Sequence, residues 1–279
     1  MRCTLPASTE HWTPGPRNRL GHPRVHLRRT DSTNDRAREL AQRGAPHGTL
    51  VTAEEQTTGR GRHGRRWAAT PRSALLMSLL LRWSASEREP ALLPLAAAVA
   101  VCDIVGPQAL VKWPNDVVLR RGATDAPTRA TGGGSVTSGN YADLAKLAGI
   151  LIEGRPQERW LVLGIGVNVA VDLAGLPQEV RGTAATLGKP SDEIEPTLAA
   201  LLQALEERLA APVAQTLAAW RSRDALIGSQ VAWQHGVGHA EGVSDRGGLL
   251  LRTQDGSTVE LDSGEVTPAN PARVSERRG

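Results

Sequence analysis

Apolar positions along this chain follow two patterns, and the alternation between them predicts its elements. Short, dense apolar runs at residues 49–54, 73–83, 144–153 and 160–169 read as strands, and Val25 and Leu27 alternate with polar neighbours across residues 24–29 in the same sense. Helical spacing appears elsewhere. Asp31-Ser32-Thr33-Asn34-Asp35 gathers residues that start helices ahead of Ala37, Leu40 and Ala41, and Gly44 closes the segment. Residues 91–105 predict a buried Ala/Leu helix with Pro90 near its first turn, and residues 190–211 and 212–226 predict two amphipathic helices. Residues 111–117 end a strand at a proline turn. From Gly228 the pattern changes to short strands with turns at Asp245-Arg246-Gly247-Gly248 and Asp255-Gly256, a small all-β module of the SH3-like kind. A strand, a basic loop, a second strand and then a helix argue for an α+β fold over a doubly wound parallel sheet.

These patterns divide the chain into a loose polar tail at residues 1–23, a main domain at 24–226, the β-module at 227–270 and a tail at 271–279. Residues 121–141 are dominated by Gly, Ser, Thr and Ala and read as a flexible insertion that carries no site. The segment 173–186 has loop chemistry with apolar residues, suited to covering a flat ring.

Composition adds three constraints. Hydrophobic residues make up 40% and charged residues 22% of 279, which describes a soluble globular protein. The most apolar segment, residues 91–105, is interrupted by Pro94 and Asp103 and is too short for a bilayer, so no membrane role is expected. Cys3 and Cys102 form neither a zinc spacing nor a disulfide framework, which predicts a reducing, cytoplasmic setting. With no phenylalanine and one tyrosine, the seven tryptophans are the only large anchors. Among 33 lysines and arginines only Lys112, Lys146 and Lys189 are lysine. A lysine retained against so strong a bias points to a place where a compact ammonium is needed.

Candidate chemistry centres on Gly59-Arg60-Gly61-Arg62-His63-Gly64-Arg65-Arg66-Trp67. Glycine lets backbone N–H groups approach a ligand, and arginine offers a planar fork matched to carboxylate and phosphate oxygens. Lacking an apolar face, the loop is expected to be mobile until an anion orders it. Read alone, it also fits a disordered nucleic-acid-binding segment. In Val111-Lys112-Trp113-Pro114-Asn115-Asp116-Val117 the turn leaves a lysine beside a carboxylate, a pairing suited to phosphate and Mg²⁺. Ser32, Thr33 and Asn34 at a helix start suit a polar ligand. Lys146 stands at the entrance of one apolar strand, and Gly164 and Gly166 in the next allow close approach of a flat ligand or another backbone.

Taken in order, Asp-Ser-Thr-Asn at 31–34, Gln56, Gly-Arg-Gly-Arg-His-Gly-Arg at 59–65 with Trp67, Lys-Trp-Pro-Asn-Asp at 112–116, Lys-Leu-Ala-Gly-Ile-Leu at 146–151 and Gly-Ile-Gly-Val-Asn at 164–168 resemble the motif set of biotin-protein ligases. The resemblance runs from about residue 25 to 270. It implies a mixed sheet flanked by helices, a reaction needing biotin, ATP and Mg²⁺, and an acceptor lysine on a biotin carboxyl carrier domain of an enzyme such as acetyl-CoA carboxylase. It further implies that Ser32, Thr33, Asn34 and Gln56 hold the ureido ring, and that Arg60, Gly61 and Arg62 close over the carboxyl group and α-phosphate. By the same resemblance Trp67, Lys112, Asn115 and Asp116 face the nucleotide, with Asp116 on the metal and a candidate proton acceptor. Lys146 sits at the reacting carboxylate and Asn168 reaches the adenine.

Two features depart from the family pattern. His63 replaces the second arginine of the common pair, and the insertion widens the gap between the two lysine motifs. A start at residue 24 leaves no room for the helix-turn-helix domain of repressor members, so the expectation is a ligase that binds no DNA and acts as a monomer or weak homodimer. A lipoate ligase of the same fold and a nucleic-acid module remain as alternatives.

Overall fold

The computed structural model describes residues 19–82, 92–121 and 143–269. Their first unit is a seven-stranded sheet, in the order β1 (Arg24–Leu27), β2 (Leu50–Ala53), β3 (Ala74–Arg82), β7 (Trp160–Asn168), β6 (Leu144–Arg155), β5 (Asp116–Arg120), β4 (Leu110–Lys112). Only β1 and β2 pair in parallel, so the sheet is mixed and the α+β expectation holds. The second unit is a five-stranded antiparallel sheet, in the order β11 (Thr258–Leu261), β10 (Leu249–Thr253), β9 (Gly236–Val243), β8 (Gln230–Trp233), β12 (Thr267–Pro268), in keeping with the SH3-like module. Gly247 and Gly256 take positive φ at the two expected turns.

The apolar runs are strands because helices cover both faces of the large sheet, and a strand buried on both sides has no polar face to alternate with. One face presents Leu75, Met77 and Leu79 of β3, Leu163 and Ile165 of β7 and Ile150 of β6 to α2 (Leu93–Val105), α4 (Ile194–Ala210) and α5 (Val213–Arg221). On the other face α1 (Thr33–Gln42) lays Ala37 and Ala41 against Val51, Leu80, Trp160 and Val162. Trp113, Trp160 and Trp220 are buried, filling the volume that phenylalanine fills elsewhere. Among the described residues no helix is long and apolar enough to cross a membrane.

Several expectations change at the level of single residues. Leu20, assigned to the loose tail, is buried, and its amide donates to Glu206 at 2.7 Å. Pro94 rather than Pro90 occupies the first turn of α2; Pro90 and most of the insertion lie outside the described residues. Ser32 is the N-cap of α1 but makes no side-chain cap bond. The amide of Thr33, which the first turn of the helix leaves without an intrahelical acceptor, donates to Gln56 Oε1, 2.8 Å away, from the neighbouring β2 connection. Burial pushes the Cys102 thiol up to about 12, so it behaves as a small hydrophobe.

Asp224 follows α5 and is buried, with Oδ1 accepting from the Leu226 amide while Oδ2 has no hydrogen-bond partner among the described residues. Burial outweighs the backbone bonds and pushes its carboxyl up to about 6. The folded state therefore holds this proton more tightly than the unfolded one, and the associated stability, about 3 kcal/mol, is lost as pH rises from about 4 to 6. Asp224→Asn keeps the acceptor for Leu226 and cannot ionise. Its urea midpoint is expected to be less sensitive than wild type to a shift from pH 4 to pH 7; identical pH dependence in the two proteins would contradict this account.

Candidate functional site

On the site face of the sheet glycine and serine interrupt an otherwise apolar surface. Ser78 on β3 pairs with Gly164 on β7, and Leu76 with Gly166; across the next ladder Gly164 faces Leu151 and Gly166 faces Gly149 on β6. The missing side chains leave a trough that other side chains fill. A Cβ at Gly164 would lie 2.2 Å from Asn34 Oδ1, and one at Gly166 would lie 2.6 Å from Trp67 Cε2. These glycines therefore admit an asparagine and an indole of the same chain.

Above the trough lies a cavity of about 480 Å³, within the size range of small-molecule sites, and each motif residue expected to touch biotin or ATP lines it. Ser32, Thr33 and Asn34 enter from the start of α1, beside Gln56. Arg60, Gly61, Arg62 and Trp67 come from the loop between β2 and β3, while Lys112, Asn115 and Asp116 come from the tight β4–β5 hairpin. Lys146 and Asn168 complete the wall from β6 and β7. Val180 and Thr183, from the segment expected to act as a cover, line it too. His63, with φ of 53°, is not among the residues that line the cavity.

The polar contacts assign different states to the charged groups. Lys146 Nζ lies 2.7 Å from Asp116 Oδ1 and 5.7 Å from the centre of the Trp67 ring. Its backbone is held by the cover segment, donating to Thr183 O and accepting from the Ala185 amide. Asn115 ties the hairpin to β6 through Ile150, donating from Nδ2 and accepting on its own carbonyl, and its Oδ1 accepts from Arg62 at 3.3 Å. Arg62 is half-buried, and that desolvation lowers its pKa despite the attraction of Glu265 and Asp116. Asn168 is buried, and its amide donates to Ala185 O at 2.8 Å, while Oδ1 has no hydrogen-bond partner among the described residues. A donor arriving in the cavity would meet that oxygen.

Arg60 differs from the sequence expectation. It lines the cavity, but its guanidinium is occupied on both arms, by Asp35 Oδ1 at 2.9 Å and by Glu153 Oε1 at 2.9 Å. Arg65 pairs with Glu265 from the second sheet. The loop thus has charged anchors where apolar ones are absent. Arg121, placed in an insertion assumed to carry no site, lines the cavity and donates to Gly182 O.

Asp35, Glu153, Ser78 and Glu265 escaped the sequence reading. Asp35 adjoins Asn34 and Glu153 ends a strand already singled out, so an arginine loop in need of counter-charges was the available signal for both. For Glu265 there was none, because 200 residues separate it from Arg65. Among the described residues no group of three or more His, Cys, Asp or Glu side chains could hold a metal by itself. Asp116 and Glu265 are the carboxylates on the cavity wall, a donor set that fits Mg²⁺ carried largely by substrate phosphates.

Comparison with known proteins gives consistent matches. Residues 26–170 match the biotin/lipoate A/B protein ligase family, and residues 228–267 match the biotin protein ligase C terminal domain. The biotin–[acetyl-CoA-carboxylase] ligase of Mycobacterium tuberculosis is 35% identical over 259 residues, covering 85% of each chain. The bifunctional ligase/repressor of Bacillus spizizenii is 30% identical, covering 85% of this chain and 71% of its own. Among solved structures, the biotin protein ligase from Aquifex aeolicus in complex with biotin and ATP superposes with a TM-score of 0.68 at 26% identity, covering 88% of this chain and 97% of that one.

Exposed ion pairs are each worth about 1 kcal/mol or less and weaken with salt. Raising the salt from about 0.05 to 0.5 M is therefore expected to speed amide hydrogen exchange at residues 60–65 of the free protein and to leave β7 unchanged. Salt-independent exchange in this loop would show that the ion pairs do not hold it.

Proposed function

The chain belongs to the biotin/lipoate A/B protein ligase family, and from that premise we propose that it is an ATP-dependent biotin–protein ligase. It activates biotin to biotinyl-5′-AMP with release of pyrophosphate, then transfers biotin to a lysine of a biotin carboxyl carrier protein. One observation carries the reading to residue level: side chains from motifs scattered between positions 32 and 168 converge on a single wall-to-wall cavity.

The chemistry demands what the cavity holds. A carboxylate attacking ATP brings two anions together, and pre-placed cations offset their repulsion as charge develops on the α-phosphate. Lys146 and Arg62 are those cations. Lys146 is steered by Asp116 and by its backbone bonds to the cover segment, and Arg62 by Asn115. Thr33 and Gln56 form the polar corner that reads the ureido ring, with Ser32 and Asn34 beside them. Lys112 adds positive charge at the nucleotide end, and the open Oδ1 of Asn168 suits an adenine amino group. Asp116 would hold Mg²⁺ together with the nucleotide phosphates, the ion supplying charge neutralisation there. Burial of the mixed anhydride under Trp67 and the arginine loop excludes water from it. In the transfer step the acceptor amine must lose a proton, and Asp116 is the carboxylate placed to take it.

The partner is a biotin carboxyl carrier domain of a carboxylase such as acetyl-CoA carboxylase. The enzyme acts in the cytoplasm, without DNA, as a monomer or weak homodimer.

Pyrophosphate release from ATP is expected with biotin and at background with lipoate or with neither; release driven by lipoate alone would replace this reading by the lipoate one. In the same assay Lys146→Arg is expected to slow single-turnover adenylation at least about 10²-fold, the scale of losing one positioned charge-stabilising donor. A planar guanidinium carries its charge over a wider group than the ammonium held 2.7 Å from Asp116 and would displace one reactant from in-line geometry. The Lys189 ammonium pairs with Glu193 on the surface and does not line the cavity, so Lys189→Arg is expected to match wild type. Equal rates for the two variants would remove Lys146 from the mechanism.

A further inference from the structure

Glu153 belongs to none of the motifs, yet its carboxylate holds two of them together. Oε2 accepts from Asn34 Nδ2 at 2.8 Å, and Oε1 accepts from Arg60 at 2.9 Å. From Asn34 the polar contacts run inward. Asn34 Oδ1 lies 2.5 Å from Ser78 Oγ, Ser78 Oγ lies 2.8 Å from Thr33 Oγ1, and the Thr33 amide donates to Gln56 Oε1 at 2.8 Å. Ser78, Thr33 and Asn34 are all buried, so none of them can exchange these partners for water.

The proton count along this chain has a direction. Ser78 has one hydroxyl hydrogen and faces the pure acceptor Asn34 Oδ1, so it donates there, and its oxygen is then an acceptor towards the Thr33 hydroxyl, whose own single hydrogen lies between Ser78 Oγ at 2.8 Å and Gln56 Oε1 at 3.1 Å. That direction requires the asparagine amide nitrogen to point at Glu153, whose carboxylate accepts from both Asn34 and Arg60. A carboxamide at position 153 could accept from only one of them and would present its own N–H₂ to the other. Relief by turning the Asn34 amide over would reverse every bond back to Thr33.

We infer that Glu153 is a positioning residue that couples ring recognition to the arginine loop: it fixes the donor–acceptor polarity of the Thr33–Ser78–Asn34 chain and anchors Arg60 with the same carboxylate. Asp35 supplies the second arm of that anchor, and Arg38 approaches both carboxylates. The inference rests on the biotin-ligase reading, since the ring it concerns is that of biotin.

The test uses the full-length protein, with biotin binding followed by calorimetry without ATP and amide exchange followed at residues 59–67. Wild type must first bind biotin; absence of binding would overturn the functional reading itself, not the role of Glu153. Glu153→Gln is expected to weaken biotin at least tenfold and to speed exchange in the free loop at least threefold, with the amides of β6 and β7 unchanged. Ser78→Ala cuts the chain but leaves both anchors of Arg60, so it is expected to weaken biotin while the free loop exchanges as in wild type. If Glu153→Gln moves only one readout, if β6 and β7 exchange faster along with the loop, or if Ser78→Ala also frees the loop, the coupling role is overturned. Should Glu153→Gln fail to fold, the Ser78→Ala result decides the chain's part and Asp35→Asn the loop's part, the latter expected to speed loop exchange.

Discussion

Three absent side chains set the architecture of the site. Gly149, Gly164 and Gly166 occupy facing positions on two central strands, and the space they leave is taken by Asn34 and by the Trp67 ring. A methyl group at Gly164 would fall well inside van der Waals contact with the asparagine amide, and neither backbone could yield without breaking the ladder on which the core is built. The start of α1 and the far end of the arginine loop are seated in the same trough. The functional groups on both segments therefore share one reference surface. Bulkier residues on this face would separate α1 from the sheet and lift the loop off it.

Electrostatics then sorts the arginines of the loop into two jobs. Arg60 and Arg65 point at carboxylates and serve as tethers, one to α1 and β6 and the other to the second sheet. Arg62 lines the cavity half-buried, donates to an asparagine oxygen and feels Glu265 and Asp116 without an ion pair to either among the described residues. A guanidinium kept partly desolvated without full neutralisation is ready for an incoming anion, whereas one already held by two carboxylates is not. Five of the six residues before Trp67 are arginine or glycine, and their identical chemistry in sequence hides this division.

The second sheet takes part in the site from outside it. Glu265 and Pro268 line the cavity, Glu265 holds Arg65, and Trp113 of the hairpin motif donates to Gly247 O at 3.0 Å. The hairpin that carries Lys112, Asn115 and Asp116 is thus braced on one side by β6 and on the other by the β9–β10 turn. A module that looks separable by composition is joined to the site by an indole and an ion pair.

By itself the sequence determined the main element types, the mixed α+β class and many, though not all, of the polar residues that meet in the cavity. Strand and helix periodicity are local properties, and the motif residues carry chemistry that side-chain type alone announces. Where the reading fell short, the cause was distance along the chain. It took the arginine loop to be without anchors because Asp35, Glu153 and Glu265 lie far from it in sequence. It read residues 31–35 as a local helix start, although the Thr33 amide there finds its acceptor in Gln56 on another segment. Gly164 and Gly166 were legible as places of close approach, but not as seats for Asn34 and Trp67. Which charge is spent on another side chain, and which is left for a ligand, depends on contacts that only the folded sheet brings together.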